Sequence, residues 1–281
     1  MPDWLDELPT DAGPPWLRMG TRGTTEDRWL VIDPQWDAER ELKHELVSTR
    51  PTEVWAELTS GEVDTHAAGG EVLALVTDWL RVYAPSHLSD PPAARHPLES
   101  AALMVPEDLC LVDHSLRLVA ASVCFPSHWR VDDKIGLPIA AVHAPVDHYA
   151  EGLQSKVDTF LSRLPPGRIA ARRNLSVHDP PDLFAPGPAE VYSHTASTDG
   201  ADHLWLRSER QTLRRLVRSG MILFTIKTQV CPMAQLAERP DVAARMATRF
   251  DALVDHEREC GREARVPPWL PGWLRAAAGG D

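Results

Sequence analysis

Glu107–Pro126 reads EDLCLVDHSLRLVAASVCFP, two runs rich in leucine and β-branched residues around a short polar turn at Asp113, His114 and Ser115. Runs of that length around such a turn are a β-hairpin signal, so an antiparallel sheet begins here. Downstream, Gly136–Pro145 (GLPIAAVHAP) reads as a further extended segment and Arg168–Asp179 (RIAARRNLSVHD) as another strand. Met221–Val230 (MILFTIKTQV) is a strand by its period of two, with Ile222, Phe224, Ile226 and Val230 on one face. Between them, Leu204–Gly220 (LWLRSERQTLRRLVRSG) is ambiguous. Its Arg, Gln and Leu content favours a helix ending at Gly220, with an extended beginning as the alternative.

Upstream the pattern is helical. Trp36–Pro51 and Gly69–Pro85 carry apolar residues at three- and four-residue spacing and end at prolines, which suggests an N-terminal helical layer. Asp27–Asp33 is a short strand or an extended lead-in, and Ser86–Pro97 is a proline-rich connector. After the sheet begins, Asp147–Gly167 is a helix that Asp147 can cap, and Arg239–Glu259 is another with Pro240 in its first turn. The sum is an α+β unit, an antiparallel sheet with helices to one side and end. The expected division is an N-terminal tail over residues 1–25, docking by Trp4, Leu5, Trp16 and Leu17, one domain over 26–258, and a C-terminal tail over 259–281.

Composition narrows the function classes. The 281 residues carry a formal net charge of −12, which opposes a nucleic-acid partner, and no apolar run approaches a membrane-spanning length. The acidic, proline-broken N-terminus lacks a secretory leader pattern, so a cytoplasmic location is expected. The four cysteines are scattered without a C-x-x-C pair, which supports neither a zinc knuckle nor a disulfide framework. G-x-G-x-x-G, the phosphate loop, G-x-S-x-G and H-E-x-x-H are all absent. Ser127 and His128 are adjacent, a poor geometry for a nucleophile and its base.

His66, His87, His96, His178, His194 and His203 fall in polar stretches where exposure explains them. His143 differs, because it ends the small apolar run Ile139–Val142 and is followed by Pro145. A packed core histidine, a metal ligand and a catalytic base are all open for it. A zinc site with His148 is disfavoured, since H-x-x-x-x-H lacks helical one-face spacing and no third ligand is evident. Arg207, Glu209, Arg210, Gln211, Arg214, Arg215 and Arg218 form a second cluster: either a solvated face or a set of guanidinium groups that neutralises an anionic ligand. Lys134, Arg172 and Arg173 raise the same question.

Four stretches together resemble the family of haem-dependent oxidative N-demethylases, in particular their haem-binding α-subunit-like proteins. They are VPEDLCLV, ASVCFPSHWRVDDKIGLPIAAVHAPVDHY, RIAARRNLSV and LWLRSERQTLRRLVRSGMILFTIKTQ, in the family's order. The resemblance implies a PAS-like α+β domain holding haem b, which uses O2 to oxidise an N-methyl or secondary amine to the dealkylated amine and formaldehyde. NADPH, a flavin and an iron–sulfur centre would then lie on a separate reductase partner. His143 matches the family's I-H-x-P-V histidine and is the implied axial iron ligand. Lys134 matches K-x-G; Arg207, Glu209 and Gln211 match R-x-E-R-Q. On this reading Glu209 handles protons or an ammonium group, Gln211 and Asn174 position the substrate, and Arg207, Lys134 or Arg172 meet the cofactor's propionates. A non-catalytic haem sensor or carrier of the same fold is the rival. The chain departs from the family at Leu175, where a tryptophan is usual, at Val217, where a proline is, and at Asp147, where the family often has a proline; the first was expected to reshape the pocket.

Overall fold

The structure, a computed structural model, describes residues 2–9, 19–59, 63–143, 153–179, 181–189, 191 and 200–279. In chain order the elements are β1 (Arg22–Thr24), α1 (Trp36–Thr49), α2 (Pro51–Val54), β2 (Trp55–Glu57), α3 (Thr65–Tyr83), α4 (Pro97–Met104), β3 (Asp108–Val112) and β4 (Leu118–Ser122). There follow α5 (Ile139–Val142), α6 (Gln154–Arg163), β5 (Ile169–His178), β6 (Trp205–Arg215), β7 (Ile222–Pro232), α7 (Pro240–Glu259) and α8 (Leu270–Ala277). The seven strands make one sheet in the order β1-β5-β6-β7-β3-β4-β2, every neighbouring pair antiparallel. The α+β class follows.

The expected hairpin forms as β3 and β4, with the turn closed by Asp113, whose Oδ1 accepts the Ser115 and Arg117 N–H groups. Alternation decides what each face meets. Leu109, Leu111 and Leu223 pack with Val72, Val76 and Leu80 of α3 and Ala101 of α4. Val112, Leu213 and Ile222 turn the other way, towards Val157, Phe160 and Leu161 of α6 and Ile139 of α5. Helices therefore cover both faces, rather than one side and end.

Several expectations are corrected. Most of Leu204–Gly220 is a strand rather than the favoured helix: β6, Trp205–Arg215, pairs along its length with β5 on one side and β7 on the other. Two full ladders of hydrogen bonds override the helical propensity of its Arg, Gln and Leu residues. The segment before His143 is a single helical turn, α5, not a strand. Lys134 fixes it by donating from Nζ to the Val142 carbonyl at 3.1 Å. α4, which begins at the last residue of the proline-rich stretch, was not anticipated; Pro97 sits in its first turn and the His96 Nδ1 accepts the Leu98 N–H at 3.0 Å. Asp27–Asp33 forms no strand, only the single 3-10 turn Glu26–Arg28 followed by irregular chain. α6 begins at Gln154; its expected cap, Asp147, lies outside the described residues, as do Trp16 and Leu17. Leu5 and Leu8 do dock, in a cluster with Phe250 of α7 and Leu274 of α8, and Arg22–Thr24 extends the sheet edge.

Gly220 closes the β6–β7 turn at φ +70°, where a Cβ would meet the His114 ring at 2.7 Å. Both terms oppose a side chain, so Gly220→Ala is expected to cost about 1–3 kcal/mol in urea unfolding.

Candidate functional site

Pairing of β5 with β6 sets Arg172 opposite Gln211, Asn174 opposite Glu209 and Ser176 opposite Arg207. Because side chains alternate, all six share one face, the one that α5 and α6 cover. Three of the residues expected to act together are joined. The Glu209 carboxylate accepts from Asn174 Nδ2 and from Gln211 Nε2, both at 3.0 Å, and Asn174 Oδ1 accepts the Glu209 N–H at 3.1 Å. Glu209 is only 8% exposed, so its carboxylate is held by amide donors inside the protein. Such a carboxylate can hold a cationic nitrogen without moving.

His143 caps the C-terminal end of α5, and its Nδ1 lies 2.8 Å from the Ile139 carbonyl. A proton on Nδ1 completes that hydrogen bond and makes Nε2 the basic nitrogen. Burial holds the ring's pKa below the ordinary histidine value, and the Arg172 and Lys134 charges push the same way against the Ile139 contact. The ring is therefore neutral at physiological pH. The charge of Arg172, on the sheet face, is thus near enough to act on the ring.

Arg207 is occupied differently. It is 1% exposed, and its terminal nitrogens donate to the carbonyls of Phe125 (2.7 Å), Pro126, Asp182 and Leu183. It clamps two loops to β6. Asp108 of β3, which the sequence reading missed, holds the same turn by accepting the Cys124 and Phe125 N–H groups at 2.8 and 2.9 Å. An aspartate inside an apolar strand run was the available signal, since carboxylates are rarely buried without partners.

His178 also corrects the sequence reading, which explained it by exposure. It is 4% exposed at the end of β5, stacked on His128 with Nε2 at 3.0 Å from Ser176 Oγ and 3.4 Å from Ser127 Oγ. His96, read the same way, is 3% exposed. Burial first, then the Arg207 and His128 charges, lowers the His178 pKa to about 3. A histidine depressed in the folded state stabilises the fold fully above its ordinary value of 6.5 and loses that contribution as pH falls towards 3. Urea titrations between pH 6.5 and about 5 should show about 1.4 kcal/mol lost per pH unit from this group, and His178→Gln should flatten the slope by that amount.

A family model described as haem-dependent oxidative N-demethylase, alpha subunit-like, matches residues 85–259. The chain belongs to this family. No curated protein matches it. The matched span of this N-demethylase α-subunit-like chain runs from the proline-rich stretch before α4 to the end of α7 and includes every site residue above.

The donor set of this N-demethylase-like chain fits a haem. A neutral imidazole with its Nδ1 proton tied to a carbonyl is the form that ligates iron through Nε2, the small residues Ala140 and Ala141 precede it, and Arg172 and Lys134 lie near for anionic groups. A cavity of about 1170 Å³ lies elsewhere, lined by Trp4, Glu7, Asp33, Glu39, Arg173 and Gln229 among others, and offers no histidine. Its charges are spent on one another: Arg173 on Glu7 and Gln229, and Lys227 on Asp33 and Glu39, whose carboxyl burial lifts to about 7. The His143 face, unlike this cavity, offers an imidazole. Two of the departures noted in the sequence fall away from it, with Leu175 facing α7 across the sheet and Val217 73% exposed in the β6–β7 turn; the third, Asp147, lies outside the described residues.

Proposed function

We propose that the chain is the haem-binding component of an oxidative N-demethylase, acting in the cytoplasm on a small N-methyl or secondary amine with O2, and releasing the dealkylated amine and formaldehyde. The observation that carries the reading is the hydrogen-bonded Glu209–Asn174–Gln211 group on the sheet face that also carries Arg172, whose charge acts on the His143 ring. The five longer strands, numbered among themselves in chain order, lie 2-1-5-4-3, which supports a PAS-like core. Free cysteines at all four positions fit a reducing compartment.

When bound, haem b would supply the iron chemistry that activates oxygen; His143 would ligate it through Nε2. Lys134 holds the Val142 carbonyl and so keeps His143 at the helix end, while Arg172 would neutralise a propionate. Arg207 acts at one remove, by fixing the Phe125–Pro126 turn. Glu209 binds the ammonium form of the amine and takes its proton, and Asn174 and Gln211 orient the carboxylate for that transfer. A histidine ligand gives less electronic push than a thiolate, which raises the demand on these groups. Electrons would come from NADPH through a flavin and iron–sulfur reductase on a separate protein.

The test is reconstitution with haem, a spectral titration with N-methylated amines and a formaldehyde assay with a surrogate reductase. A Soret band, an amine-dependent shift and formaldehyde are expected. Haem without a shift or formaldehyde would sink the enzyme in favour of a sensor or carrier.

A further inference from the structure

A groove of about 650 Å³ runs between the edge strand β1, the turn before β5 and the outer side of α6. Arg22, Lys156, Arg163 and Arg168 line it, and no carboxylate does. Among the described residues none of the four forms an ion pair, in a chain whose net charge is −12. Most other basic side chains on this protein are matched; Arg28, Arg81, Arg95, Arg130, Arg214 and Arg239 each face a carboxylate. Unmatched positive charge is thus concentrated where the sheet edge is open.

The groove backs onto the candidate haem face. Phe160 lines it and also packs inward with Ile139 of α5, and Val157 of the same helix meets Ala140. Only α6 separates the groove from the element that carries His143. We propose that this groove is the docking surface for an acidic electron-donor protein. The inference rests on the haem reading above, which leaves the chain without any redox centre able to draw on a soluble reductant.

Two features favour a protein face over a small phosphorylated ligand. All four cations are exposed, and an exposed charge is worth little to a small anion. They are also spread out, since Lys156 and Arg163 alone are separated by roughly 10 Å of helix. Charges of that kind act together on a broad acidic surface, raising its association rate and setting its orientation. In each encounter one electron leaves the donor's reduced iron–sulfur cluster, which is oxidised, and reduces the ferric haem to ferrous, with no bond made or broken.

The probe is a reduced acidic [2Fe–2S] ferredoxin. Calorimetry of the full chain with this protein at low and high salt measures docking, and stopped-flow absorbance of the haem-loaded chain measures electron transfer. The double substitution R163E and R168E is expected to weaken binding and slow reduction at least about 10-fold at low salt, with the gap closing at high salt. Reduction by dithionite and haem content should stay as in the wild type, and Arg81→Glu, on a distant helix, should change neither readout. Equal binding and equal rates in the double variant overturn the proposal, as does a wild type that dithionite reduces and the ferredoxin does not. Micromolar binding of inorganic pyrophosphate that the double variant loses would make this a small-anion site and also overturn it. A chain that takes up no haem counts against the haem reading, while the calorimetry still tests the groove.

Discussion

His143→Ala is expected to lose nearly all haem on reconstitution while remaining folded. The ring is half-buried at the end of one helical turn, and its removal opens no large core cavity. Its contribution is specific: Nδ1 is tied to the Ile139 carbonyl, and burial with Arg172 and Lys134 keeps the ring neutral, so Nε2 is presented as a base. Outer-shell partners of metal ligands are worth roughly 10- to 100-fold in affinity, and loss of the ligand itself should exceed that range. Lys134→Met, which removes the bond to the Val142 carbonyl and one nearby charge, should fall inside it. His143→Gly supplied with free imidazole should regain the Soret band. A variant that kept full haem would move the ligand elsewhere. Cys124 is then a weak choice, because burial pushes its thiol pKa up to about 12; His148 lies outside the described residues.

The sheet was legible wherever one strand showed its alternation or its turn. The Asp113 turn announced β3 and β4, and the period of two in β7 separated Ile222 and Phe224 from Leu223, which do meet different layers. β6 was not legible, because its alternation is written in polar residues. Arg207, Glu209 and Gln211 share one face and Ser208, Arg210 and Thr212 the other, so hydrophobicity carries no signal. What makes these residues acceptable in the middle of a sheet is long-range partners: the Arg210 guanidinium reaches the carbonyls of Arg28 and Trp29, and Arg207 reaches those of Phe125 and Pro126. Such partners are many tens of residues away in the chain. The motif residues were legible as a group but not by role, since an arginine that clamps a turn and one that meets a ligand read alike. His178 hid for the same reason. Its burial comes from the stacked His128 and from the loop that Arg207 anchors, neither of which is local to β5.

Asp108→Ala is expected to cost about 3–5 kcal/mol, the largest stability loss among the substitutions considered. The side chain is fully buried, and burial raises its carboxyl pKa against the pull of Lys43 and the two N–H donors. Alanine would leave the Cys124 and Phe125 N–H groups unmatched, and the equally buried Lys43 would lose the carboxylate 3.8 Å from its Nζ, keeping only the Val105 and Glu107 carbonyls. Asp108→Asn should recover part of the loss, because one amide oxygen can still accept one of the two N–H groups while the amide nitrogen opposes the other. The second consequence concerns Arg207, whose Phe125 and Pro126 acceptors lie in the turn that Asp108 holds. Two groups that fix one turn are coupled, so urea unfolding of Asp108→Ala, Arg207→Met and the double variant should give a double loss smaller than the sum by about 1 kcal/mol or more. Strict additivity would mean that the two residues hold separate structures, and the Phe125–Pro126 turn would then not be the link between the β3 core and the candidate haem face.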